Sequence, residues 1–158
     1  HEIHLALDLA GLPTHVFGEI TEYQKLNLDV DVCSDLMIKH KSGAVSQIHL
    51  DFLQKPSHRS GLITFEKAWL SYDFNKMEVL VQRTNGEAYT LYKNSHYDSN
   101  NMYIEQLKEF ICMVEEGRVR HKYDALSSLE SLKVVEALFK SNSTGRRENI
   151  ERKEKFSF

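Results

Sequence analysis

The chain opens HEIHLALDLAGLP, with imidazoles at His1 and His4. On a helix, positions i and i+3 fall on one side, so both rings can address the same ligand. Two chemistries use such a pair. A zinc site would need a third ligand and a supporting outer shell. His-Glu-Ile-His is not the His-Glu-x-x-His of zinc proteases, because the second histidine comes one residue early. The other histidines, at 15, 40, 49, 58, 96 and 121, show no ligand spacing, and no metal is assigned. The second chemistry is proton transfer. Imidazole titrates near neutrality and can take the proton of a hydroxyl that is being oxidised. A histidine at a helix start is equally an ordinary surface residue, and the residues around it leave both readings open. Nucleophilic catalysis is not indicated: there is no Gly-x-Ser-x-Gly elbow. Cys33 and Cys112 lie in apolar runs without Cys-x-x-Cys spacing and read as buried free thiols of a reducing compartment. The seven glycines stand singly, so no glycine-rich phosphate turn and no dinucleotide-binding unit is present.

The elements that must position these residues follow from periodicity. Residues 1–10 read as a helix with Ile3, Leu7 and Ala10 on one face, stopped by Gly11 and Pro13. Nothing precedes His1 to cap its first N–H groups, which is expected of a chain cut from something longer. From 14 to 92 the period becomes two, with strands expected at 14–24, 32–40, 44–53, 59–66, 68–74, 77–84 and 87–92. Lys41-Ser42-Gly43 and Asn85-Gly86 mark tight turns, the latter a type I′ hairpin signal, and short strands with tight turns imply antiparallel pairing. Helix then returns. Tyr103, Leu107, Phe110, Ile111 and Val114 form one stripe, with Asp98 or Ser99 as cap and Gly117 as stop. A last helix spans 124–142, with Leu129, Leu132, Val135 and Phe139 along its stripe and Gly145 at its end. Ser127 and Glu130 have capping-box spacing and would move its start towards 127. The expected fold class is α+β, a large and mostly antiparallel sheet with helices packed on one face. Residues 1–145 make the domain, and 146–158 a charged, disordered tail. In the strand 44–53, Ile48, Leu50 and Phe52 should lie under the helices. Val45, Gln47, His49, Asp51 and Leu53 should form an open face, suited to a homodimer or homotetramer interface.

Composition bounds the partners. At 158 residues the chain can bury a single core, with 41% hydrophobic and 27% charged residues. A net charge of −3 argues against nucleic acid. The basic residues Arg146, Arg147, Arg152, Lys153 and Lys155 alternate with Glu148, Glu151 and Glu154, which reads as a solvated segment. No membrane span and no signal peptide is visible, and a cytoplasmic location is expected.

HEIHLALDLAGLP resembles the opening of the second domain of the glucose–fructose oxidoreductase/inositol dehydrogenase (Gfo/Idh/MocA) family, where a His-x-x-Asp stretch starts a helix ending in a Gly- and often Pro-containing loop. The helix NMYIEQLKEFICMVEEG and the closing DALSSLESLKVVEALFKSNSTGRR resemble later family elements, in the family's order. The resemblance implies a C-terminal domain of the dihydrodipicolinate-reductase-like type, belonging to a two-domain enzyme whose absent Rossmann domain binds NAD or NADP. It implies substrate binding and oligomerisation by this domain, with a sugar, nucleotide sugar or polyol as substrate. It implies His1 as the catalytic histidine, paired with a lysine of the first domain and helped by an aspartate four residues upstream, before this chain begins. His4 stands where the family commonly has a substrate-binding aspartate. Lys55, His58 and Arg59 follow a strand end where the family places substrate contacts, and Arg59 could hold a carboxylate or phosphate through both guanidinium edges. Tyr97, with His96, precedes the long helix and could line the same cleft. Trp69 is expected in the core or an interface. In FEKAW, Glu66 and Ala68 replace the glycines of a family turn, which leaves that turn's geometry open. The rival reading is a non-catalytic assembly or ligand-binding module.

Overall fold

The computed structural model describes residues 1–22, 30–118 and 125–150, without the side chain of Leu126. The expected strand end at 23–24, the stretch containing His121 and the tail beyond 150 lie outside these residues. The elements are α1 (Glu2–Ala10), β1 (Pro13–Thr21), β2 (Cys33–His40), β3 (Val45–Asp51), β4 (Ser60–Thr64), β5 (Ala68–Asp73), β6 (Glu78–Arg83), β7 (Ala88–Lys93), α2 (Asn100–Glu115), α3 (Ala125–Thr144) and β8 (Glu148–Asn149). The class is α+β with antiparallel strands throughout. The single large sheet is corrected to two four-stranded sheets, ordered β3-β2-β1-β8 and β4-β5-β6-β7. The division falls after β3, in a connection that contains Pro56, a residue with no N–H to give to a ladder. Two compact units result, residues 1–53 with 120–158, and residues 54–119.

In the first unit, alternation along β1 and β2 sends Val16, Leu36 and Ile38 inward, where they meet Ile3 of α1 and Val134, Ala137 and Leu138 of α3. The stripe expected on α3 is corrected. Leu132 is 62% and Phe139 49% exposed, whereas Val134 and Ser141 are fully buried. The sequence is apolar on two sides of this helix, and packing selects the side carrying small residues. The reason is proximity to β1: a Cβ on Gly18 would overlap the Asp35 carbonyl oxygen and Leu138 Cδ1. Ser141 Oγ accepts the Gly18 N–H at 3.1 Å and donates to the Arg146 carbonyl at 2.6 Å. That second bond bends the chain into β8, which pairs with β1, and Ile150 enters the core. The tail expected from 146 is therefore folded through residue 150. α3 is already helical at Ala125, two residues before the capping-box position. On β3, Ile48 packs on the core, but Leu50 and, just beyond the strand, Phe52 are exposed, the latter by 69%.

α1 is fastened at its C-terminal end to the β2–β3 hairpin. Buried His40 donates Nδ1–H to the Gly11 carbonyl at 2.7 Å, with Nε2 2.8 Å from Ser46 Oγ. Ser42 Oγ donates to the Ala10 carbonyl at 2.6 Å. The two expected tight turns share one geometry. Gly43 N–H bonds the His40 carbonyl and Gly86 N–H the Arg83 carbonyl, and in each only the glycine has positive φ, 92° and 89°. The Asn85-Gly86 turn is thus a three-residue loop closing on a left-handed glycine, not type I′, which would need positive φ at Asn85 as well. FEKAW closes through Phe65 N–H to the Ala68 carbonyl, with no positive φ at Glu66 or Lys67.

In the second unit, β4 to β7 form a meander followed by α2. α2 ends as its glycine predicts: Gly117 N–H bonds the Val114 carbonyl and Arg118 N–H that of Met113, the paired bonds of a Schellman motif. The apolar stripe of α2 is exposed, and no residue of that helix is buried, so only α1 and α3 supply helices to a sheet face among the described residues. Trp69 is 41% exposed.

Gly18→Ala is expected to lower unfolding free energy by about 1–3 kcal/mol, the usual cost of overpacking. Chemical denaturation checks it, with Gly43→Ala, where a Cβ meets open space but φ is positive, as the contrasting turn variant.

Candidate functional site

α1 is uncapped by any side chain at its start, where the His1 carbonyl accepts the Leu5 N–H at 2.9 Å. His1 is exposed. His4, one turn on, is half-buried, and its Nδ1 lies 3.2 Å from Ser131 Oγ on α3. Two anchors therefore aim the start of α1: this contact at one end, and the His40–Gly11 and Ser42–Ala10 bonds at the other. A general base needs such fixed placement, within hydrogen-bond reach of the proton it takes.

The other sequence-derived residues belong to the second unit. Lys55, His58 and Arg59 lie exposed in the connection to β4. That connection is held by the β5–β6 turn: Asn75 Nδ2 donates to the Ser57 carbonyl at 2.8 Å, and Arg59 N–H donates to Asn75 Oδ1 at 3.0 Å. The Arg59 guanidinium stacks over Phe74, 4.2 Å from its ring centroid, and Phe74 meets Tyr72 edge-on at 5.4 Å. Ser60 Oγ is 2.7 Å from His58 Nε2. Half-buried Tyr97 sits in the turn before α2, its N–H on the Asn94 carbonyl at 3.3 Å. Lys55, His58 and Arg59 are thus brought together in one segment, Tyr97 stands in another, and His1 and His4 form a separate pair.

Sequence reasoning missed a polar cluster on the uncovered side of the first sheet. The register pairs Asp35 with His49 and Cys33 with Asp51, a two-by-two tile across β2 and β3. His49 Nδ1 is 2.6 Å from Asp35 Oδ1, and Nε2 is 2.9 Å from Asp51 Oδ2. The hydrogen bond to Asp35 raises the His49 pKa, and that to Asp51 adds to the effect. Cys33, expected to be buried, is half-exposed, and its Sγ lies 3.7 Å from Asp35 Oδ2. Burial, then the Asp35 charge, raises its pKa. Beside the tile is an open hollow of about 430 Å³, lined by Phe17, Glu19, Met37 and Gln47. Alternation had placed His49 and Asp51 on this face; pairing with Cys33 and Asp35 depended on register, which sequence alone did not fix.

No protein-family model and no curated protein matches the chain. Solved structures do. Apo levoglucosan dehydrogenase superposes with a TM-score of 0.85 at 14% identity, over 98% of this chain and 50% of that one. Its complex with NADH and levoglucosan gives 0.84 at 15% identity, over 95% and 48%. An oxidoreductase from Agrobacterium radiobacter, in complex with NAD+, L-tartaric acid and magnesium, gives 0.75 at 14% identity, over 95% and 47%. The chain shares its fold with part of an NAD-binding oxidoreductase. It spans about half the length of the structures it matches.

Among the described residues, the glycines form no phosphate-binding turn. Gly11, Gly43, Gly86, Gly117 and Gly145 each close a helix or hairpin at positive φ, and Gly18 and Gly61 lie in strands, where a Cβ would strike Leu138 and Tyr72. Calorimetric titration of the chain with NAD and NADP is expected to show no saturable binding at micromolar concentration. A saturable isotherm would assign a cofactor site to this half.

Proposed function

We propose that this chain is the substrate-binding and oligomerisation domain of an NAD(P)-dependent oxidoreductase that acts on a sugar, nucleotide sugar or polyol in the cytoplasm. The supporting observation is the superposition of 95% of this chain on 48% of chains that carry NADH together with levoglucosan or L-sorbose. Among the described residues, no helix is long and apolar enough to cross a membrane.

In this reading a nicotinamide bound by another part of the parent would supply the hydride acceptor. His1 takes the hydroxyl proton, on an exposed imidazole whose helix is fixed by the Gly11 and Ser131 contacts. His4 borders the substrate while bracing α1 against α3. Lys55, His58, Arg59 and Tyr97 supply further substrate contacts.

Assembly uses the uncovered side of the first sheet. Val45 is 53% and Leu53 44% exposed, with Phe17 and Met37 on the same side. A surface of mixed apolar and polar character with two-fold self-complementarity suits a homodimer or a dimer of dimers.

In the full-length parent, His1→Ala should lower turnover by about 10²–10⁴-fold with cofactor affinity unchanged. A loss under about threefold would assign the proton transfer to another group. For assembly, Val45→Glu with Leu53→Glu should reduce the mass in light scattering to that of one chain without altering circular dichroism. A wild-type chain that is already monomeric at micromolar concentration overturns the interface.

A further inference from the structure

We infer that Cys33, Asp35 and His49 form a three-ligand site for a divalent ion of the zinc class, with Asp51 orienting the histidine from behind. The inference does not rest on the proposed dehydrogenase role, although the tile lies on the sheet face assigned above to assembly. Cys33 Sγ, an Asp35 carboxylate oxygen and a His49 ring nitrogen lie within 4.8 Å of one another. Tetrahedral zinc, with Zn–S of about 2.3 Å and Zn–O of about 2.1 Å, holds its sulfur and oxygen ligands about 3.6 Å apart. Cys33 Sγ and Asp35 Oδ2 are already 3.7 Å apart. The Asp35–His49 contact, at 2.6 Å, is shorter than a ligand–ligand edge. It opens when Nδ1 gives up its hydrogen bond for the metal, and the exposed Asp35 side chain has room to move.

The arrangement behind the histidine separates this tile from a chance grouping of surface residues. Asp51 is 4% exposed at its side chain, and both its oxygens are engaged, Oδ1 by the Leu53 N–H at 2.6 Å and Oδ2 by His49 Nε2 at 2.9 Å. A carboxylate on the far nitrogen fixes tautomer and ring orientation in metal-ligating histidines and strengthens the near nitrogen as a donor. Here it leaves Nδ1 facing Asp35 and Cys33. Charge points the same way. Register sets Glu19 beside Asp35, so three carboxylates, Glu19, Asp35 and Asp51, lie on this face, the last two on the imidazole. Thiolate, imidazole and carboxylate together select a borderline metal over calcium or magnesium, which take oxygen ligands. Binding displaces the Cys33 thiol proton and the Nδ1 proton without redox change. Three protein ligands leave the fourth position for water or a ligand oxygen.

The test uses the reduced chain with zinc in calorimetry and cobalt(II) in absorption spectroscopy. One ion should bind per chain, with a near-ultraviolet thiolate-to-cobalt band and the visible intensity of tetrahedral cobalt. Cys33→Ser should abolish the thiolate band, whereas Cys112→Ser, at the other thiol, should keep it. Asp51→Asn should weaken zinc binding by about 10–100-fold while the thiolate band persists at saturating cobalt. Circular dichroism of each variant confirms the fold. Absence of saturable binding, a thiolate band that survives Cys33→Ser, or affinity unchanged in both His49→Gln and Asp51→Asn would overturn the site.

Discussion

Gly18 carries no side chain because the β2 backbone at Asp35 and the Leu138 side chain of α3 stand where one would be. From that approach much of the first unit follows. A helix lying so close on a strand can present only small or slender residues to it, so Val134, Ala137, Leu138 and Ser141 face inward, and the bulkier Leu132 and Phe139 turn out. The backbone N–H of Gly18 would then be buried without a partner, a cost of about 1–3 kcal/mol, and Ser141 supplies one. The same hydroxyl fixes the turn at Arg146 and so delivers β8 to the edge of β1.

The two faces of that sheet do different things. The covered face holds nearly all of the buried apolar residues and fixes α1, and through α1 the placement of His1 and His4. Among the described residues of this unit the other face bears no helix, and there the pleat lines up Glu19, Asp35 and His49 in one row across three strands. Core packing tolerates few charges, so a fold with one dry face and one open face segregates its scaffold from its reactive groups.

Strand existence was legible because alternation and turn chemistry are local. All seven expected strands occur, and Gly43, Gly86, Gly117 and Gly145 each fall at a positive φ where a chain must turn or a helix must end. What escaped was non-local. Nothing in SLESLKVVEALF says which of two apolar sides meets a sheet. A two-residue strand such as Glu148–Asn149 has no period to detect, and its partner lies over 130 residues away in sequence. The alternation from 44 to 92 gives no sign that the ladder stops between β3 and β4. The pairing of Cys33 and Asp35 with His49 and Asp51 is a matter of register across a hairpin, and motif spacing along one strand does not contain it. His1 was singled out by its position at the start of a helix and by family resemblance; geometry adds how that helix is held.

The sequential layout of the two units has a consequence for biosynthesis. Residues 54–119 are contiguous, whereas the first unit is assembled from 1–53 and 120–158. As the chain leaves the ribosome, the β4–β7 meander has all its partners at hand and can form while α3 is still unmade. β1 must wait. The α3 cover of β1 and its outer neighbour β8 are both encoded after residue 124, so this side of β1 to β3 has only α1 over it until those residues emerge. High contact order of this kind slows folding and lengthens the exposure of sticky surface. The later-encoded segment can therefore fold before the earlier one is complete, an inversion of the usual vectorial order.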